Sequence, residues 1–97
     1  MYARVNTFEG SVDRMDDGIR DMQERIVPWT REMDGCKGAI ALVDRESGKT
    51  IGITLWENQD KMLASESEAA SLRSGSAEAL GTRAPTVERY EVVIWEV

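Results

Sequence analysis

The sequence predicts an α+β domain in which two helices cover one face of a four-stranded antiparallel sheet. Three observations carry this reading. Ile51, Ile53 and Leu55 alternate with Thr50, Gly52, Thr54 and Trp56, the period of two of a strand. Val12, Met15, Ile19, Met22 and Ile26 recur at steps of 3, 4, 3 and 4, the repeat of an amphipathic helix. Taken along the chain, the elements fall in the order β-α-β-β-α-β, which is the ferredoxin-like split βαβ plan. Crossover handedness leaves few other arrangements of that order.

The first strand spans residues 2–9, where Tyr2, Val5, Thr7 and Phe8 are β-favouring types and Gly10 ends the run. Asn6 sits in its middle, where asparagine is disfavoured, so its presence asks for a reason. Ser11 caps the first helix, and Asp13, Asp16 and Asp17 suit its dipole. Pro28 is expected to stop or kink that helix near Val27, leaving Trp29 and Met33 in a short helical turn before Gly35.

Residues 37–44 form the second strand, whose nearly continuous apolar run predicts burial on both faces. The turn Arg45-Glu46-Ser47-Gly48 places glycine where a positive φ is expected and joins strands two and three as a hairpin. Asn58 offers an N-cap to the second helix, with Gln59 and Asp60 in its first turn. That helix should run to about Arg73 and be interrupted at Gly75, with one more turn closed by Gly81. Residues 86–97 form the fourth strand.

The 97 residues make one domain, 1–97, with room for only a modest core. A net charge of −6 argues against nucleic acid and against an anionic membrane surface as partners. A single cysteine, no apolar run long enough to span a bilayer and no signal-peptide pattern make the expected location cytoplasmic. The chain has no histidine, which removes the commonest zinc and haem-iron ligand and the usual general base near neutral pH. Two helices cover one sheet face only, and Trp56 and the residues alternating with Trp95 should leave apolar side chains on the other. A second copy, packed sheet to sheet under two-fold symmetry, is the expected cover.

The order of elements, with Asn6 in the first strand and Leu55-Trp56-Glu57-Asn58-Gln59-Asp60 at the end of the third, resembles the antibiotic biosynthesis monooxygenase (ABM) family. The resemblance covers the whole chain as topology, while its sequence motif is short. It implies the dimeric α/β barrel, a plan shared by stress-responsive barrel domains and muconolactone-isomerase-like proteins. It also implies a cofactor-independent oxygenase acting on a small aromatic, quinol or polyketide-like substrate. The haem-degrading branch of the family uses a strand-one Asn, a second-helix Trp and a His further along that helix. Asn6 occupies the first place, but Ser65 and Gly75 fall at the other two, which argues against haem degradation by that route.

The candidate residues each have a plainer reading. Asn6 and Tyr90 are the catalytic candidates: Asn6 to hydrogen-bond an oxygenated substrate, Tyr90 to donate a proton or orient an oxygen. Otherwise Asn6 is satisfied at a bulge or loop, and Tyr90 is a structural phenol. Trp29 and Trp56 are the substrate-binding candidates, and burial in a core or dimer interface is the stronger reading for Trp56. Cys36 reads as an inert thiol. The carboxylates of the first helix, interleaved with Arg14, Arg20 and Arg25, read as a solvated face rather than a metal site. No phosphate loop or CxxC pair is present, and no metal or cofactor is expected. Two functions remain: a cofactor-free monooxygenase, and a non-catalytic dimeric binding or scaffold module. A cavity between sheet and helices where Asn6 and an aromatic group converge favours the first.

Overall fold

In the computed structural model, which describes residues 1–97, β1 (Tyr2–Glu9) leads through a 3-10 turn (Val12–Arg14) into α1 (Met15–Asp21). A π-helical turn (Met22–Ile26) joins α1 to α2 (Val27–Glu32). A hairpin of β2 (Cys36–Asp44) and β3 (Lys49–Trp56) comes next, followed by α3 (Gln59–Ala64), α4 (Glu66–Leu80) and β4 (Thr86–Glu91). The strands lie in the order β2-β3-β1-β4, all antiparallel, as the ferredoxin-like reading requires. No helix is long and apolar enough to cross a membrane.

The caps fall where the side chains put them. Asn58 Oδ1 accepts from the Lys61 amide at 2.9 Å and starts α3. Gly81 takes the left-handed conformation, φ 66°, that ends α4, and Gly48 takes φ 82° in the hairpin turn.

Register decides which side chains meet the helices. Arg4 pairs with Thr54, Asn6 with Gly52 and Phe8 with Thr50, and these share the helix-covered face. Phe8 packs there against Ala77 and Leu80 of α4. Trp56 belongs to this face and is fully buried, so it is not part of the uncovered one. The uncovered face carries Val5, Ile51 and Ile53, with Ile40 and Leu42 alongside on β2; Leu55 points to the same side but is buried. The apolar half of the β3 alternation therefore points away from the helices.

Four expectations change. Of the stop or kink expected at Pro28, the stop does not occur, and the helix runs on to Glu32. It is preceded by a wide turn in which the Val27 amide reaches back five residues to the Met22 carbonyl, loosening the spiral where proline has no amide to give. Gly75 does not interrupt α4; the break falls instead at Ser65, between α3 and α4. β4 ends at Glu91, not at residue 97, because β1 begins at Tyr2 and offers no partner beyond the Tyr2–Glu91 pair. A single bond from the Val92 amide to the Met1 carbonyl follows. β2 is an edge strand with Leu42 51% exposed, so its apolar run is not buried on both faces within one chain.

Leu80 is almost fully buried against Phe8 and lies where a Cβ on Gly18 would collide with it, so α1 and α4 meet at that point. Leu80→Ala is expected to lower the unfolding free energy by about 2–4 kcal/mol, the range for a buried leucine truncated to a cavity. Urea denaturation checks this, with an unchanged slope and a lower midpoint as the expected result.

Candidate functional site

The polar and small residues of the helix-facing sheet surface do not fill the space beneath the helices. A cavity of about 110 Å³ remains between sheet and helices. Its sheet side is made by Arg4, Asn6, Phe8, Gly52 and Thr54. Met22, Ile26 and Val27 from the π turn and its end, with Trp29 of α2, form one helical wall. Ala69, Leu72, Arg73 and Ser76 of α4 form the other. A Cβ built on Gly52 meets nothing within 4 Å, so this glycine leaves the cavity floor open. Ala39 and Ala41 line the cavity and are exposed, which places its mouth over β2.

Arg4 organises the polar side. It is 1% exposed, on the central strand, with Nη1 donating to the Met62 carbonyl at 3.1 Å and Nη2 to Ser65 Oγ at 2.9 Å. Its guanidinium lies 5.2 Å from the centre of the Trp56 ring and 3.2 Å from Glu66 Oε1. Glu66 is clamped from the other side by Arg89, which donates through Nε and Nη2 at 2.8 Å each. The Arg89 hydrogen bonds, helped by the Arg4 charge, hold the Glu66 carboxyl down at about 2. Burial lowers the affinity of Arg4 for its proton, and Glu66 opposes that.

The aromatic wall is fixed from both sides. Trp29 meets Trp56 edge to face, with ring centres 6.1 Å apart. Trp29 Nε1 donates to Glu68 at 2.9 Å, and Trp56 Nε1 to Thr54 Oγ1 at 2.9 Å.

Of the predicted site residues, Asn6 and Trp29 line the cavity together. Asn6 Oδ1 is buried and has no hydrogen-bond partner. Trp56 stands behind Trp29 as its support rather than in the cavity wall. Tyr90 lies outside: it pairs with Ala3 on the uncovered face, half exposed, and its hydroxyl donates to Glu88 at 2.6 Å. That bond raises the affinity of the Tyr90 phenol for its proton. Cys36 is half-buried at the start of β2 and is not part of the cavity.

Arg4 and Arg73 were missed by sequence reasoning. A lone arginine within a strand was the available signal for Arg4, as Asn6 was for itself. Arg73 sits among polar α4 residues and carries no signal of its own. Its Nη1 is nonetheless buried without a partner at the cavity. The two positions compared with the haem-degrading branch also have local roles. Ser65 is the small acceptor that lets the Arg4 guanidinium in, and it donates to the Met62 carbonyl at 2.7 Å. A Cβ at Gly75 would collide with the Arg25 guanidinium, which bonds Asp21 and the Leu72 carbonyl.

No protein-family model matches the chain. Among solved structures it is similar to a Deinococcus radiodurans protein described as an antibiotic biosynthesis monooxygenase, with 18% identity and a TM-score of 0.75, covering 100% of this chain and 97% of that one. It is similar to a Streptomyces coelicolor monooxygenase solved with the ligand nanaomycin D, at 15% identity and TM-score 0.76, covering 99% and 92%. The chain has the ABM fold. The haem degrader MhuD from Mycobacterium tuberculosis, solved with two haems in its active site, shares that fold at 15% identity and TM-score 0.78, each chain covered in full. By sequence the chain is 36% identical over 92 residues to an uncharacterised protein of Mycobacterium tuberculosis, and 38% identical over 77 residues to a second. It spans only 41% and 33% of the lengths of these two relatives.

The Glu66 clamp has a pH consequence. A carboxyl held near 2 when folded, against 4.5 as its ordinary value, adds stability that is fully present above pH 4.5 and is lost as pH falls through 2. Because Glu66 is about a quarter exposed, solvent screening leaves roughly 1–2 kcal/mol of the full linkage. Thermal unfolding measured from pH 6 to pH 2 is expected to show this slope, and Glu66→Gln should flatten it.

Proposed function

We propose that the chain is a cofactor-independent monooxygenase acting on a small aromatic substrate, working as a sheet-to-sheet homodimer. The observation that carries the reading is the convergence of the unpartnered Asn6 amide, the Trp29 wall and two guanidinium groups on one cavity. A cofactor-free oxygenase must bind an electron-rich aromatic, favour its deprotonated form and exclude bulk water. Arg4 and Arg73 supply positive charge without a cofactor. A buried cation near an acidic hydroxyl or C–H lowers its pKa by roughly 1–3 units, so the anion forms without a histidine base. That anion supplies the electrons to O2. At a CH2 carbon of the substrate, one oxygen atom ends in a new carbonyl and the other leaves in water. Asn6 orients the substrate oxygen and Trp29 packs on the ring. The Streptomyces coelicolor neighbour, a monooxygenase bound to nanaomycin D, supports the reading by analogy of fold.

The dimer is supported by the uncovered sheet face. Only 17 of the 97 residues are buried in one chain, which is little for independent stability. Ile40, Leu42, Ile51 and Ile53 form a contiguous apolar surface on that face. A matching face from a second copy buries them under a two-fold axis.

Oxygen uptake with a panel of anthrones and quinols tests the activity. Asn6→Ala is expected to cut the rate by about 10²-fold with the fold intact. No uptake across the panel would return the chain to the binding-module reading. Sedimentation tests the dimer: the expected species has twice the 10.9 kDa chain mass, and Leu42→Glu should shift it toward monomer. A stable wild-type monomer would overturn the pairing.

A further inference from the structure

Three buried polar atoms of cavity-lining residues lack partners: Arg4 Nε, Asn6 Oδ1 and Arg73 Nη1. Arg4 is held by its other donors, while the side chains of Asn6 and Arg73 have no partner at all and differ in kind. Asn6 contributes an amide whose Oδ1 is unpaired, and Arg73 contributes a guanidinium whose Nη1 is unpaired. Native interiors rarely leave such groups unmet, and an unmet charged donor costs more than a neutral one. The neighbouring arginines share a carboxylate, since Arg4 and Arg89 both hold Glu66. Arg73 makes no ion pair of its own and feels Glu66 only at a distance.

Each group specifies a complement. A hydroxyl satisfies the Asn6 amide in either orientation, donating to the oxygen or accepting from the nitrogen. An anionic oxygen satisfies the Arg73 guanidinium. Between them the wall is apolar and partly aromatic, with Phe8, Ile26, Trp29 and Leu72. The space, about 110 Å³ and open at its mouth over β2, is smaller than the roughly 150 Å³ of an apolar cavity that holds one benzene. One ring at most therefore fits, with part of it in the mouth, and a fused second ring must project beyond the mouth over β2.

We infer that the ligand is a single-ring hydroxyaryl anion, with its anionic oxygen on Arg73 Nη1 and its hydroxyl on the Asn6 amide. This rests on the cavity reading proposed above and narrows its substrate to one ring with one negative charge. Gly52 sets the room available, since its missing side chain is the open floor of the cavity.

Anaerobic titration of the full chain, followed by tryptophan fluorescence and by calorimetry, tests the inference. The probes are 2,5-dihydroxybenzoate, its neutral methyl ester and the two-ring 1,4-dihydroxy-2-naphthoate. The dihydroxybenzoate is expected to bind at least about tenfold more tightly than either of the others. Arg73→Met should remove that advantage over the ester, and Arg73→Lys should restore part of it. Gly52→Val should abolish binding of all three while circular dichroism shows the fold kept. Equal binding of acid and ester, equal or tighter binding of the naphthoate, or an Arg73→Met variant with undiminished preference would each overturn the inference. Oxygen uptake on the anthrone and quinol panel separates it from the oxygenase reading. The expected binding order with no uptake across that panel overturns the oxygenase and upholds the ligand class. Uptake confined to neutral or fused-ring substrates upholds the oxygenase and overturns the ligand class.

Discussion

The structure depends on one buried charge. Arg4 stands on the central strand and reaches the joint between α3 and α4, where it meets the Met62 carbonyl, Ser65 and Glu66. A guanidinium in the interior is tolerated only when its donors and its charge are matched. Here the groups that match Nη1 and Nη2 come from the end of one helix and the start of the next, so holding Arg4 also fixes where the helical segment bends, while Nε is left without a partner. Trp56 lies over the same guanidinium and supports Trp29, which carries the order from the sheet into the cavity wall. Removing Glu66 entirely would leave a buried cation short of its partner, the costliest way to break such a pair.

The second constraint is the alternation along β3. Its apolar residues, Ile51, Ile53 and Leu55, face away from the helices, while Thr50, Gly52, Thr54 and Trp56 face toward them. A strand patterned this way does not build a dry core under its own helices. It leaves a polar-floored space on one side and an apolar surface on the other. Phe8, Ala77 and Leu80 pack one end of the sheet, and Trp56 is fully buried at the other. The cavity and the uncovered face are thus two results of one pattern.

Element order, hairpin, caps and closing glycines were legible because each rests on local chemistry: Asn58 at a helix start, Gly48 and Gly81 at positive φ, and the period of two in β3. The side of β3 that meets the helices was not legible, because a period of two is symmetric between faces until a partner is known. Pro28 was legible as a stop or a kink but not as which of the two, since the π turn that absorbs it depends on tertiary packing rather than on its neighbours in sequence. The end of β4 depends on the length of β1, a non-local fact. At the site, Asn6 and Trp29 stood out as residue types in unusual places. Arg73 did not, because an arginine among serines on a helix looks like any solvated position until its neighbours are placed.

Small residues make the cavity what it is. Gly52, Ala39, Ala41, Ala69 and Ser76 surround the space, and larger side chains at these positions would fill it. Arg4 and Arg73 then place two positive groups at a space whose walls are otherwise mostly apolar. In a chain of net charge −6, the field outside repels anions while the interior at this point attracts them. Under the ligand class proposed above, charge alone does not bring an anion to such a site. The ring surface that packs on the aromatic wall must contribute as well, so shape and charge are satisfied by the same ligand.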